Sequence, residues 1–145
     1  MKAVVQRVLS AKLEVEGKLI SEINKGYVVY LGVKVGDGRE VADYFIKKIP
    51  SLRIFEDENG KTNKSILDVG GEILLVSQFT LCADTTQGNR PSFINAEKPE
   101  KANEMYLYVA DGIKNAGINV KLGVFGADMK ITQTNDGPFT IILEK

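Results

Sequence analysis

The chain has 145 residues, of which 43% are hydrophobic and 26% charged, and its nineteen basic and nineteen acidic side chains cancel. That balance suits one globular domain, residues 1–145, and argues against a protein that coats nucleic acid through a broad basic face. Histidine is absent and Cys82 is the only cysteine, which excludes Ser-His-Asp and Cys-His arrangements, histidine or cysteine metal clusters, and an intrachain disulfide.

Taken in order, residues 2–8 alternate loosely and are rich in valine, which predicts a strand. Residues 13–16 and 19–23 flank Gly17-Lys18 as a hairpin. The continuous apolar run 27–33, bounded by Gly26 and Gly36, reads as a strand buried on both faces. Residues 37–49 switch to helical spacing, with Val41, Phe45 and Ile49 on one stripe and Tyr44 beside it, and Pro50 ends the helix. A short strand, 53–56, precedes the polar loop 57–64. After Gly70-Gly71 comes another strand, 72–79, then a long aperiodic connection, 81–98. Pro99 suits the first turn of a second helix and Gly117 its C-terminal cap, with Ala102, Met105, Tyr106, Val109, Ala110 and Ile113 as its buried stripe. Residues 119–125, 130–134 and 139–143 complete the strands. Short turns between successive strands predict an α+β fold, an antiparallel or mixed sheet curled into a barrel or sandwich with two covering helices. No apolar run approaches transmembrane length and no signal peptide precedes the first strand, so the expected address is the cytoplasm, away from membranes.

Without histidine, hydrolytic chemistry must use another base, a backbone-built oxyanion site, or a group brought by the substrate. Ser77, Gln78, Phe79 and Thr80 follow the apolar strand residues 73–76, where a scaffold can hold a site rigidly while exposing it. The hydroxyls and the amide can orient a substrate or face a developing oxyanion, and they equally suit polar residues bonded to their own loop. Arg90, after Gly88-Asn89, could hold a phosphate or be solvated. Residues 123–129 flank Phe125 with Gly123 and Gly126, so they could admit a flat ligand or simply turn between strands. Arg7 places a charge within an apolar strand and needs a partner if buried. Asn135-Asp136-Gly137-Pro138 interrupts two strands. A Gly-Pro step lets backbone approach a ligand closely, and it also suits a plain turn with proline opening an edge strand.

These pieces occur together. The opening MKAVVQRV, SQFTL at 77–81, GNRPSF at 88–93, GVFGADM at 123–129 and NDGPFT at 135–140 stand in the order found in the D-aminoacyl-tRNA deacylases, and the chain resembles that family from Met1 to its C-terminus. The resemblance implies a homodimer that hydrolyses the ester joining a D-amino acid, or glycine, to the 3′ end of tRNA and spares the L-aminoacyl ester. It implies that Gly137 and Pro138 form a Gly-cisPro motif that enters the partner's active site and rejects an L side chain, with Arg7 steadying it. Ser77, Gln78, Phe79 and Thr80 are then the residues that face the ester. Phe125 and Met129, with Ala102, line the place for the terminal adenosine.

Two mechanisms fit the resemblance. Either Thr80 accepts the acyl group, or the 2′-hydroxyl of the terminal ribose assists water while backbone amides near Phe79 and Thr80 hold the oxyanion. The lack of histidine favours the second. No residue pattern requires a metal or cofactor. An esterase for small acyl esters and a non-catalytic module for the tRNA end are the other classes consistent with the residues.

Overall fold

The apolar run after Gly26 becomes β3 (Gly26–Gly32) in the computed structural model, which describes residues 1–145. β3 pairs antiparallel with β1 (Lys2–Val15) on one edge and parallel with β6 (Glu72–Ser77) on the other. A strand in that central position is buried on both faces, which accounts for its unbroken apolar sequence. β2 (Lys18–Ile23) folds back on β1 through Glu16 and Gly17, both at positive φ. β7 (Asn119–Leu122) lies parallel to β6, and β8 (Met129–Glu144) runs antiparallel along β1 for nearly its whole length. The sheet is therefore mixed. It curls until β2 meets β7, where the Ser21 hydroxyl donates to the Leu122 carbonyl at 2.6 Å, and becomes nearly closed and barrel-like.

Two helices cover it: α1 (Arg39–Ser51) and α2 (Pro99–Asn115). Ala42, Phe45 and Ile49 from α1 and the whole predicted stripe of α2 are buried against Ala3, Val5, Val29, Leu31, Ile73 and Leu75. A smaller cluster fills the inside of the curl: Val8, Ala11, Leu13, Ile23, Val28, Leu74 and Val76. Val8 and Leu13 differ in strand parity yet share this face, because the β1–β8 register shifts between Val8 and Ser10. No helix is long and apolar enough to cross a membrane.

The same irregularity explains one departure from expectation, and the others are local. Residues 2–8 and 13–16 belong to one bent strand, and 130–134 and 139–143 to another. The expected loop 57–64 carries β5 (Thr62–Lys64), paired with the two-residue β4 (Phe55–Glu56). β6 stops at Ser77, and Phe79–Cys82 form a 3₁₀ turn instead of more strand. Pro50 lies in the last turn of α1, which runs one residue further.

Two buried phenols tie the core to the backbone. Tyr27 donates to the Leu52 carbonyl at 3.2 Å and Tyr106 to the Leu75 carbonyl at 2.7 Å. Burial pushes both phenols far above the usual tyrosine range, and Arg7 offsets this only partly for Tyr27. Because the fold holds these protons on, their stabilisation is complete below the ordinary tyrosine pKa of about 10 and is lost as pH rises through the raised values. The share of tyrosinate absorbance that Tyr27→Phe and Tyr106→Phe remove from the five-tyrosine total should therefore appear together with loss of circular dichroism above about pH 10. Full ionisation of both residues in a still-folded protein would contradict this.

Candidate active site

β6 delivers the first group of residues. Gln78 extends the pairing by donating its N–H to the Leu31 carbonyl at 2.8 Å, and the chain then tightens into the 3₁₀ turn that begins at Phe79. Phe79 and Thr80 lead that turn, so their N–H groups have no carbonyl one turn back within it. Gln78 Nε2 donates to Thr80 Oγ1 at 2.5 Å. Phe79 is 55% exposed and meets Phe93 edge-on, with ring centroids 5.1 Å apart. A bridge between Asp84 and Ser92 closes the intervening excursion, so the strings at 77–81 and 88–93 are neighbours in space. Within it, the N–H and hydroxyl of Thr86 hold the Asp84 carboxyl below the usual carboxylate range.

Beside this strand end opens a cavity of about 300 Å³. Ser77, Gln78 and Phe79 form one wall, Ala102 and Tyr106 of α2 another, and the turn from Phe125 to Met129 a third. Gly126 takes φ +76, a conformation that permits the turn to fold back over the opening. Tyr106 was legible only as part of a helical core stripe. Its hydroxyl is spent on Leu75 and its ring lies 6.2 Å from that of Phe125, so it is both core and cavity floor. Asp128 and Ile131 also line the cavity, and Asp128 pairs with Lys130 at 3.0 Å. A phenol within a helical stripe and an acid after two small residues were the available signals. No group of three or more histidine, cysteine, aspartate or glutamate side chains converges anywhere in the chain.

The second group lies elsewhere. Opposite Arg7, the β8 register jumps from Thr140, facing Gln6, to Asn135, facing Val8. Asp136, Gly137, Pro138 and Phe139 thus stand out of the ladder as a four-residue bulge. Gly137 has φ +124, and a Cβ there would sit 2.9 Å from the Phe139 nitrogen, so glycine is required twice over. The Gly137-Pro138 peptide bond is cis, and both residues are exposed. Arg7, only 7% exposed, holds the base of the bulge. Its Nη1 donates to the Ile54 carbonyl at 2.5 Å, and its Nε lies 3.0 Å from the Asp136 carboxylate and 3.3 Å from the Asp136 carbonyl. The guanidinium sits 5.0 Å from the centroid of the Phe139 ring and 6.0 Å from that of Phe55, which stacks on Tyr27.

The structure thus gathers Ser77, Gln78, Phe79, Ala102, Phe125 and Met129 around one cavity, with Thr80 at its rim turn, and gathers Arg7, Gly137 and Pro138 at the bulge. Neither the bulge nor Arg7 lines the cavity.

The family model described as D-Tyr-tRNA(Tyr) deacylase matches residues 4–144. A D-aminoacyl-tRNA deacylase of Syntrophomonas wolfei is 52% identical over 144 residues, 99% of this chain and 97% of that one. Another, of Clostridium botulinum strain 657, is 54% identical with the same coverage of both chains. A solved structure named c-Myc DNA unwinding element binding protein superposes with a TM-score of 0.94 at 42% identity, covering 100% of this chain and 99% of its own.

Proposed function

The chain belongs to the D-Tyr-tRNA(Tyr) deacylase family, and from that premise we propose that it hydrolyses the ester joining a D-amino acid, or glycine, to the 3′ end of tRNA and spares the L-aminoacyl ester. It acts as one catalytic domain, residues 1–145, in a cytoplasmic homodimer. The observation that carries this reading is the division of the site on a single chain. The cavity beside β6 is lined by residues that this reading assigns to the base and the ester, but Gly137 and Pro138 do not line it. Nor do they line either of the two other main cavities, which lie beside Lys34 and beside Gly70-Gly71. A two-fold dimer that sets each bulge over the partner's cavity completes both sites at once. The outer edge of β8, with Ile142 67% exposed, offers unpaired strand and apolar surface for such an interface.

In this reading the terminal adenosine packs between Phe125, Met129 and Ala102, and the ester lies against Ser77, Gln78, Phe79 and Thr80. The carbonyls around Gly137-Pro138 meet the α-carbon of the aminoacyl group. A hydrogen there fits, and an L side chain does not. A backbone screen reads handedness while leaving any D side chain to project away, and it passes glycine for the same reason. The N–H groups of Phe79 and Thr80 face the developing oxyanion. Attack by water is assisted by the substrate's own 2′-hydroxyl, because the side-chain partner of Thr80 is an amide donor that cannot take its proton.

The test is turnover of matched D- and L-tyrosyl-tRNA by the purified protein with a chelator present. Loss of the D ester alone is expected. Equal cleavage of both would remove the chiral screen, cleavage of small esters lacking RNA would indicate a general esterase, and binding without turnover would indicate a tRNA-end module.

A further inference from the structure

Arg7 grips the bulge from one side of the sheet only. On the other side, where Gln6 projects, a connected network of amides and hydroxyls spans its base. Gln133 Nε2 donates to Gln6 Oε1 at 2.9 Å and to Asn135 Oδ1 at 2.6 Å. Gln6 Nε2 in turn donates to Thr140 Oγ1 at 3.3 Å. Tyr30, on the central strand β3, donates its hydroxyl to Gln133 Oε1 at 3.1 Å, and burial keeps that phenol protonated beyond the usual range. Asn135 and Thr140 are the last ladder residues before and after the bulge. The network therefore ties its two ends to each other and to the middle of the sheet.

We propose that Gln6 and Gln133 are positioning residues for chiral selection: they fix the span from Asn135 to Thr140 and so the stance of Gly137 and Pro138 above the sheet. The inference rests on reading that bulge as the screen. The chemistry asks for amides. Gln133 donates twice and accepts once, and Gln6 accepts once and donates once, so neither a carboxylate nor an alkyl group can replace them. The same strand carries Met129 and Ile131, both cavity residues, on the face of Gln133, since every second residue shares a side. The clamp thereby holds the bulge in fixed relation to the cavity wall of its own chain.

Gln133→Glu keeps the volume but sets a carboxylate against the Gln6 and Asn135 carbonyl oxygens; Gln133→Leu removes the bonds outright, and Tyr30→Phe removes only one. Two readouts are compared with the wild type: the ratio of D- to L-tyrosyl-tRNA turnover, and hydrogen exchange of the segment 135–140. Both Gln133 variants are expected to lower the ratio about tenfold and to speed exchange in that segment, with Tyr30→Phe intermediate. A merely structural role would lower thermal stability and leave both the ratio and the exchange of 135–140 relative to the rest of the sheet unchanged. Unaltered ratio and unaltered exchange would overturn the proposal. Faster exchange with an unaltered ratio would leave the clamp in place and overturn the screening role of the bulge, so the two failures are distinguishable.

Discussion

Arg7→Met should cost about 3 kcal/mol of stability and about a hundredfold in turnover of the D ester. The guanidinium is nearly buried and meets three acceptors from two distant parts of the chain: the Ile54 carbonyl, the Asp136 carbonyl and the Asp136 carboxylate. Methionine fills similar space against Phe55 and Phe139 but leaves the Ile54 carbonyl without its donor and the Asp136 charge without its partner. Gly137 and Pro138 then lose the hydrogen bonds and ion pair that tie their base to the backbone just before β4. A displacement of about 1 Å in a group that positions substrate is enough for a loss of this size. Arg7→Lys is the discriminating control. Lysine keeps the charge, but its compact ammonium lacks the planar fork whose separate nitrogens reach Ile54 and Asp136, so only partial recovery is expected. Urea unfolding together with single-turnover deacylation measures both effects, and a double-mutant cycle with Asp136→Asn isolates the ion pair. Wild-type turnover in Arg7→Lys would show that charge alone suffices and that the fork has no role.

Arg7 also illustrates what was legible beforehand. A charge in a valine-rich strand announces that something must meet it, but the sequence does not say that the partner comes from residue 136 and the backbone acceptor from residue 54. Local patterns are informative where one periodicity dominates: the unbroken run of β3 between two neighbours, and the buried stripe of α2 between Pro99 and its C-terminal turn. They mislead where register changes inside an element. The shift after Val8 swaps the faces of β1, so alternation fades there and one strand looks like two. The bulge at 136–139 does the same to β8. β5 leaves no signal in the sequence because its three residues carry no buried apolar side chain. The cavity residues could be grouped through motif order and resemblance. Their separation from the bulge could not, because it depends on which residues of β8 face Gln6 and Val8 across more than a hundred residues of chain.

The sharpest mechanistic contrast is between Thr80→Ala and a substrate whose terminal ribose lacks its 2′-hydroxyl. Thr80 is exposed at the start of the 3₁₀ turn, and its side-chain hydrogen bond is received from Gln78 Nε2. An amide N–H can orient that oxygen but cannot remove its proton, and a neutral threonine hydroxyl is a weak nucleophile. The backbone N–H groups of Phe79 and Thr80 survive substitution by alanine, because the turn that aims them is built by main chain. Thr80→Ala is therefore expected to keep D-ester turnover within about tenfold of wild type, reflecting a lost hydrogen bond or two. The 2′-deoxy substrate removes the group assigned to proton transfer, and its turnover should fall by about 10²–10⁴-fold, the range general acid–base assistance contributes. Single-turnover rates at saturating enzyme separate this from weaker binding. An acyl-threonine intermediate trapped by acid quench, with the 2′-deoxy ester cleaved at near-normal rate, would assign the attack to Thr80. In that case Gln78 would be an orienting residue for the nucleophile, and Gln78→Glu, which converts the amide donor at 2.5 Å into a carboxylate acceptor, would raise turnover. Under substrate assistance the same change lowers it, because a negative charge is brought toward the oxyanion. The sign of the Gln78→Glu effect thus decides the same question from the protein side.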